Sequence, residues 1–107
     1  MTDALPWKAL SATVHAGCAC EGWTLHEAGW PDEEERCHVV DVVFAVPFES
    51  PPVVQIGLTG FDLDQRDSAR ISVRAEEVTS FGFRAVIVTW SGTRVYGVEF
   101  QWLAIGP

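Results

Sequence analysis

Three groupings of residues in the chain could do chemistry. The first is Cys18-x-Cys20 with His26 and the pair Cys37-His38, which supplies the thiolates and imidazoles that zinc prefers. Structural zinc sites, however, usually take two ligand pairs, each about two to four residues apart. A free cysteine is more commonly a small buried hydrophobe, so the expectation is buried, reduced thiols with no metal ligand and no cofactor. The second grouping is acidic. Glycoside hydrolysis needs two carboxyl groups flanking one bond, but the run Asp32-Glu33-Glu34-Glu35 and the stretch Asp62-Leu63-Asp64 read as solvated surface. His15, His26 and His38 all lie in the first third, no Ser–His–Asp or Cys–His constellation is recognisable, and there is no glycine-rich phosphate loop. No catalytic residue is assigned, and the chain is not expected to be an enzyme.

The third grouping suits a different task. Arg70 follows the acidic stretch, and Thr89-Trp90-Ser91-Gly92-Thr93-Arg94-Val95-Tyr96 is a tight turn flanked by two large aromatics. A planar guanidinium and a carboxylate can hold neighbouring hydroxyls of a sugar. An aromatic ring can pack on the apolar C–H face of the same ring. The alternative is surface packing of Arg70 and a core role for Trp90, and residue types alone leave both open.

These side chains must be held by strands. After Glu35 come short runs rich in Val, Ile, Phe, Thr and Trp, separated by turn residues. The runs are Val39–Phe48, Val53–Leu58, Ala69–Val78, Gly82–Trp90 and Val95–Ile105. A polar loop from Gly60 through Asp62, Asp64 and Asp67 joins the second to the third. A sixth strand is expected between Trp7 and Trp23, where Ala9–Val14 alternates mildly. Ile71, Val73 and Ala75 share one face of their run, with Arg70, Ser72 and Arg74 on the other. Tyr96, Val98, Phe100, Trp102 and Ala104 likewise oppose Gly97, Glu99 and Gln101, the period of a half-buried strand. Gly82–Trp90 is apolar on both faces, as a central strand or one at a subunit contact would be. With no helical segment between the runs, the fold class is all-β, a single antiparallel β-sandwich domain over residues 1–107.

Composition narrows the partners. The chain has 107 residues, 7 basic and 15 acidic, for a formal charge of −8. One lysine and scattered arginines cannot neutralise a row of phosphates, so no nucleic-acid partner is expected. No apolar stretch approaches the ~20 residues of a spanning helix, so no membrane insertion is expected. The first residues lack the pattern of a secretory signal, which leaves a cytoplasmic location or a non-standard route of export. The chain has no asparagine and hence no N-glycosylation site.

The span 43–106 carries the stretches Val43-Phe44-Ala45-x-Pro47-Phe48, Pro51-Pro52-Val53-Val54, Leu58-Thr59-x-Phe61-Asp62 and Ala69-Arg70-Ile71. Val73-Arg74-Ala75, Val78-Thr79, Gly82-Phe83, Thr89-Trp90-x-x-Thr93-x-Val95-Tyr96 and Gln101-Trp102-Leu103-Ala104 follow in unbroken order. In these stretches the span resembles the H-type lectin family. The resemblance implies a six-stranded antiparallel sandwich assembled as a parallel homotrimer. It also implies a glycan ligand of the galactose or N-acetylgalactosamine type, held without catalysis at sites between subunits. It places the family's sugar-binding arginine at Arg70 and its aromatic residues at Trp90 and Tyr96. The acidic ligand falls at Glu33, with Asp32 the alternative if a gap intervenes. Where the family pattern has a histidine after the tryptophan, this chain has Ser91. The second reading is an assembly module that keeps the trimeric sandwich without the sugar site.

Overall fold

The computed structural model describes residues 6–31 and 33–107. They form six strands: β1 (Lys8–Gly17), β2 (Arg36–Val43), β3 (Val53–Leu63), β4 (Ile71–Glu76), β5 (Gly82–Thr89) and β6 (Val95–Gly106). Every pairing is antiparallel, in two three-stranded sheets of order β1-β6-β3 and β2-β5-β4. The sixth strand expected near the amino terminus is β1, and β5 is indeed central in its sheet. No helix among the described residues is long and apolar enough to cross a membrane.

The sheets pack through the faces that the alternation marked. Val98, Phe100, Trp102 and Ala104 of β6 meet Phe83, Ala85 and Ile87 of β5 in one buried cluster. Trp102 lies with its ring centroid 5.5 Å from Phe83 and 5.7 Å from Phe44. Such aromatic pairs add about 0.5–1.5 kcal/mol each beyond the area they bury.

Strand boundaries differ from the sequence reading in ways the chain explains. β2 begins at Arg36, three residues earlier than expected, and stops at Val43. Residues 44–48 leave the ladder, since Pro47 has no N–H to give it, although Phe44 and Phe48 stay buried in the core. Their own N–H groups bond to the carbonyls of Phe81 and Ser80, both at 2.9 Å. β3 continues to Leu63, so Gly60 and Asp62 belong to a strand rather than to the loop, with register shifts between Leu58 and Gly60 and between Asp62 and Leu63. β4 starts at Ile71, which places Arg70 just before the strand and not on its outer face.

Three further expectations are corrected. Cys18, Cys20 and Cys37 are all exposed free thiols, because two stand in the turn after β1 and the third is not covered where it lies on β2. Asp64 is buried rather than solvated, a position its arginine and tyrosine partners make tolerable. Asp32 lies outside the described residues.

Candidate functional site

Arg70, Trp90, Ser91 and Tyr96 all stand at one end of the sandwich, where β5 ends and β4 and β6 begin. Buried hydroxyls lock the loop before β4 to the turn after β5. Thr89 Oγ1 lies 2.7 Å from the Arg70 carbonyl and 3.2 Å from that of Thr93. Thr93 Oγ1 donates to the Ser68 carbonyl at 2.8 Å. Arg36, itself buried, donates from Nη2 to the Thr93 carbonyl at 2.6 Å and stacks on Trp30, 5.2 Å from the ring centroid. Burial lowers the Arg36 pKa from its ordinary value, and the carboxylates of Glu34, Asp67 and Glu27 oppose that shift.

The turn itself is unusual. Ser91 and Gly92 have φ of 54° and 74°, and the Thr93 N–H bonds back to the Trp90 carbonyl at 3.3 Å. Positive φ at both central residues is the type I′ pattern, which glycine accepts without strain and serine adopts at some cost. That conformation carries Ser91 and the 38% exposed Trp90 at the tip.

Tyr96 is held separately. Its hydroxyl donates to Asp64 Oδ2 at 3.2 Å, and Asp64 also takes Arg66 Nε at 2.9 Å and Arg66 Nη2 at 2.8 Å. Hydrogen bonds from Arg66 hold the Asp64 carboxyl far below the usual carboxylate range, and the bond to Asp64 raises the Tyr96 pKa. Beside this pair, Asp67 accepts from the Arg94 main chain at 2.8 Å and from its Nη2 at 2.9 Å, which lowers the Asp67 pKa. The Tyr96 ring pairs with His26, at 6.5 Å between centroids.

The structure therefore gathers part of the expected set. Arg70, Trp90 and Ser91 share the locked loops, whereas Tyr96 sits in a second group with Asp64. Trp90 and Tyr96 form no ring pair among the described residues. Glu33 is exposed in the segment before β2, which reaches β4 through the ion pair of Glu35 with Arg74 at 3.8 Å. Of the expected residues Tyr96 alone lines the surface depressions described, one of about 570 Å³ with Gly97 and Cys18 and a smaller one with Asp64 and Arg66. No three His, Cys, Asp or Glu side chains among the described residues come together as a metal site.

Sequence reasoning missed Arg36, Thr89, Thr93 and the Asp64–Arg66 pair. The spacing of the two threonines on either side of Trp90 was the one available signal. Arg36 gave none, because its hydrogen-bond partners are main-chain carbonyls.

Comparison with known proteins bears on this arrangement. The H-type lectin domain family matches residues 39–105. A protein of Fuscovulum blasticum described as "ATP synthase subunits region ORF 7" is 39% identical over 98 residues, covering 90% of this chain and 85% of the relative. Discoidin-2 of Dictyostelium discoideum is 32% identical over 71 residues, covering 65% of this chain and 28% of the relative. Among solved structures, recombinant discoidin II of Dictyostelium discoideum superposes with a TM-score of 0.75 at 26% identity, over 92% of this chain and 36% of the other. The wild-type discoidin II structure gives 0.76 at 25% identity, over 94% and 37%. The chain thus spans little more than a third of either discoidin II chain.

Proposed function

The chain belongs to the H-type lectin family, and from that premise we propose that it binds galactose-type sugars such as N-acetylgalactosamine at sites between the subunits of a parallel homotrimer. The family and the fold support carbohydrate binding without catalysis. The observation that carries the reading is the state of Arg70. The other five arginines are hydrogen-bonded or ion-paired, to Thr93, Asp64, Glu76, Asp41 and Asp67 in turn. The Arg70 guanidinium has no such partner among the described residues, while its carbonyl is fixed by Thr89. A positioned, unpaired fork of donors is what a vicinal diol requires.

In this reading Arg70 donates to ring hydroxyls, and Glu33 or Asp32 accepts from them. Trp90 packs on the sugar ring, and Ser91 lines the N-acetyl side. With its hydroxyl committed to Asp64, Tyr96 offers its ring.

Trimerisation is supported by the outer face of the β1-β6-β3 sheet. Between the rows Ala9–Ile105–Val53 and Thr13–Gln101–Gly57, that face carries no charged side chain. The outer face of the other sheet carries the ion pairs of Arg84 with Asp41 and of Arg74 with Glu76. A Cβ at Gly57 would meet nothing within 4 Å, so the fold itself has no need of glycine there. An interior strand glycine often marks close approach of another backbone, which is the role proposed for it.

The test is a calorimetric titration with N-acetylgalactosamine, galactose and glucose, run beside Arg70→Ala and with the mass measured by light scattering. Saturable binding of the first two sugars by a trimer, lost in the variant, is expected. The second reading, an assembly module without a sugar site, is favoured by the separation of Trp90 from Tyr96. A folded trimer silent to all three sugars would establish it.

A further inference from the structure

The three exposed thiols are the feature that the lectin reading leaves unused. Cysteine is among the residue types most often buried, so a chain that presents all three to solvent departs from the norm. Two of them share one turn. The Cys20 N–H bonds to the Gly17 carbonyl at 2.7 Å, closing a tight turn over Cys18 and Ala19, and the Cys18 N–H bonds to the Tyr96 carbonyl at 2.9 Å. Both cysteines line the same depression of about 570 Å³ beyond the end of the β1-β6-β3 sheet. We propose that Cys18 and Cys20 form a two-thiolate site for a soft, two-coordinate metal ion of the Cu(I) class.

Donor number and charge select this chemistry. Zinc takes four ligands in a structural site and three plus water in a catalytic one. No three candidate ligands are brought together among the described residues. Cu(I) is satisfied by two thiolates, and soft sulfur donors select it over harder ions. The carboxylates lining the depression are Asp62 and Glu99, and the His15 ring lies 3.6 Å from Glu99. Carboxylates attract a cation and repel the anionic disulfides that a redox dithiol would exchange with. On binding, each thiol gives its proton to solvent, two S–Cu bonds form, and no electron is transferred. The Cys18 link to the Tyr96 main chain would carry occupancy to the start of β6. The proposed assembly face occupies the half of the sheet around the Ala9–Ile105–Val53 row, remote from the Gly17–Gly97 end that carries the turn, so the turn stays open in the trimer.

The experiment titrates reduced whole protein, without oxygen, with Cu(I) held by the coloured chelator bicinchoninate. Wild type and Cys37→Ser should each withdraw one Cu(I) per chain with no change in mass. Cys18→Ser and Cys20→Ser should bind more weakly by at least the ~100-fold that loss of even an outer partner can cost. Alkylating the two remaining thiols of folded Cys37→Ser should abolish withdrawal without relying on a new variant's folding. Failure of wild type to compete, unchanged withdrawal by either serine variant, or one ion per two chains with a doubled mass would overturn the proposal. None of these outcomes depends on sugar binding.

Discussion

The buried hydroxyl of Thr89 lies 2.7 Å from the main-chain carbonyl of Arg70, so the last residue of β5 fixes the residue whose guanidinium has no ion-pair partner among the described residues. The same hydroxyl is 3.2 Å from the Thr93 carbonyl, and Arg36 reaches that carbonyl from the other side. The two loops at this end of the sandwich are therefore one hydrogen-bonded body, and Arg70 is presented by a fully buried threonine rather than by its own strand.

Replacing Thr89 by valine keeps the shape and removes the donor. An unsatisfied buried carbonyl costs about 1–3 kcal/mol, so Thr89→Val should lower stability by about 1–2 kcal/mol in urea denaturation. Thr24→Val, at an exposed loop position outside the proposed assembly face, should stay within ~0.5 kcal/mol of wild type. Equal effects of the two changes would show that the Thr89 bond does not hold the loops.

Asp64 gives the fold a dependence on acid. Its carboxyl is held below the usual range by Arg66, and Asp67 is lowered in the same way by Arg94. A carboxylate whose folded-state pKa is depressed binds fewer protons folded than unfolded, so its stabilisation is complete above the unfolded value of about 3.9. That stabilisation is lost as pH falls through this value towards the folded one. Thermal unfolding followed from pH 7 downward should show the midpoint falling below about pH 4. In Asp64→Asn the midpoint should start lower at neutral pH and fall less steeply. An identical acid slope in the variant would mean that Asp64 is not the group responsible.

The regular parts of the fold were legible because they obey a period. Val98, Phe100 and Trp102 alternate with Gly97, Glu99 and Gln101 and are buried as that alternation requires. The full length of β3 is not legible in the sequence because its register shifts after Leu58 and Asp62 break the period of two. Gly60 and Asp62 then look like turn residues. Asp64 looked solvated because burial of a carboxylate depends on partners, and sequence does not bring Tyr96 to it across 32 residues. Of the candidate site, residue types and family resemblance selected Arg70, Trp90 and Tyr96. Only the coordinates separate Tyr96 into its own group.

On the resemblance, Ser91 would stand where the lectin pattern carries a histidine, and its turn needs positive φ. Histidine is among the residues enriched in that region, so Ser91→His should fold. The longer side chain can place one additional hydrogen bond on the sugar, worth about 0.5–1.5 kcal/mol. Calorimetry should therefore find N-acetylgalactosamine bound about 2–10-fold more tightly, with a smaller gain for galactose. A gain of the same size for both sugars would mean that position 91 does not face the N-acetyl group.

Gly57 offers a test of assembly that leaves the subunit intact. A side chain there meets no neighbour within 4 Å, and a strand interior tolerates most residues better than glycine. Gly57→Arg should thus leave the stability of the single chain unchanged or slightly higher. In a trimer formed through this face, the same arginine would be a buried charge without a partner, which costs several kcal/mol per ion, and three copies would bring three such charges together. Light scattering should then report monomers. Binding to a surface carrying many sugars should fall by the ~10²–10⁴-fold that multivalency contributes. Because the proposed sites lie between subunits, binding of a single sugar should fall with it. A Gly57→Arg protein that remains trimeric would place the subunit contact elsewhere, and the uncharged face of β1, β6 and β3 would then need another explanation.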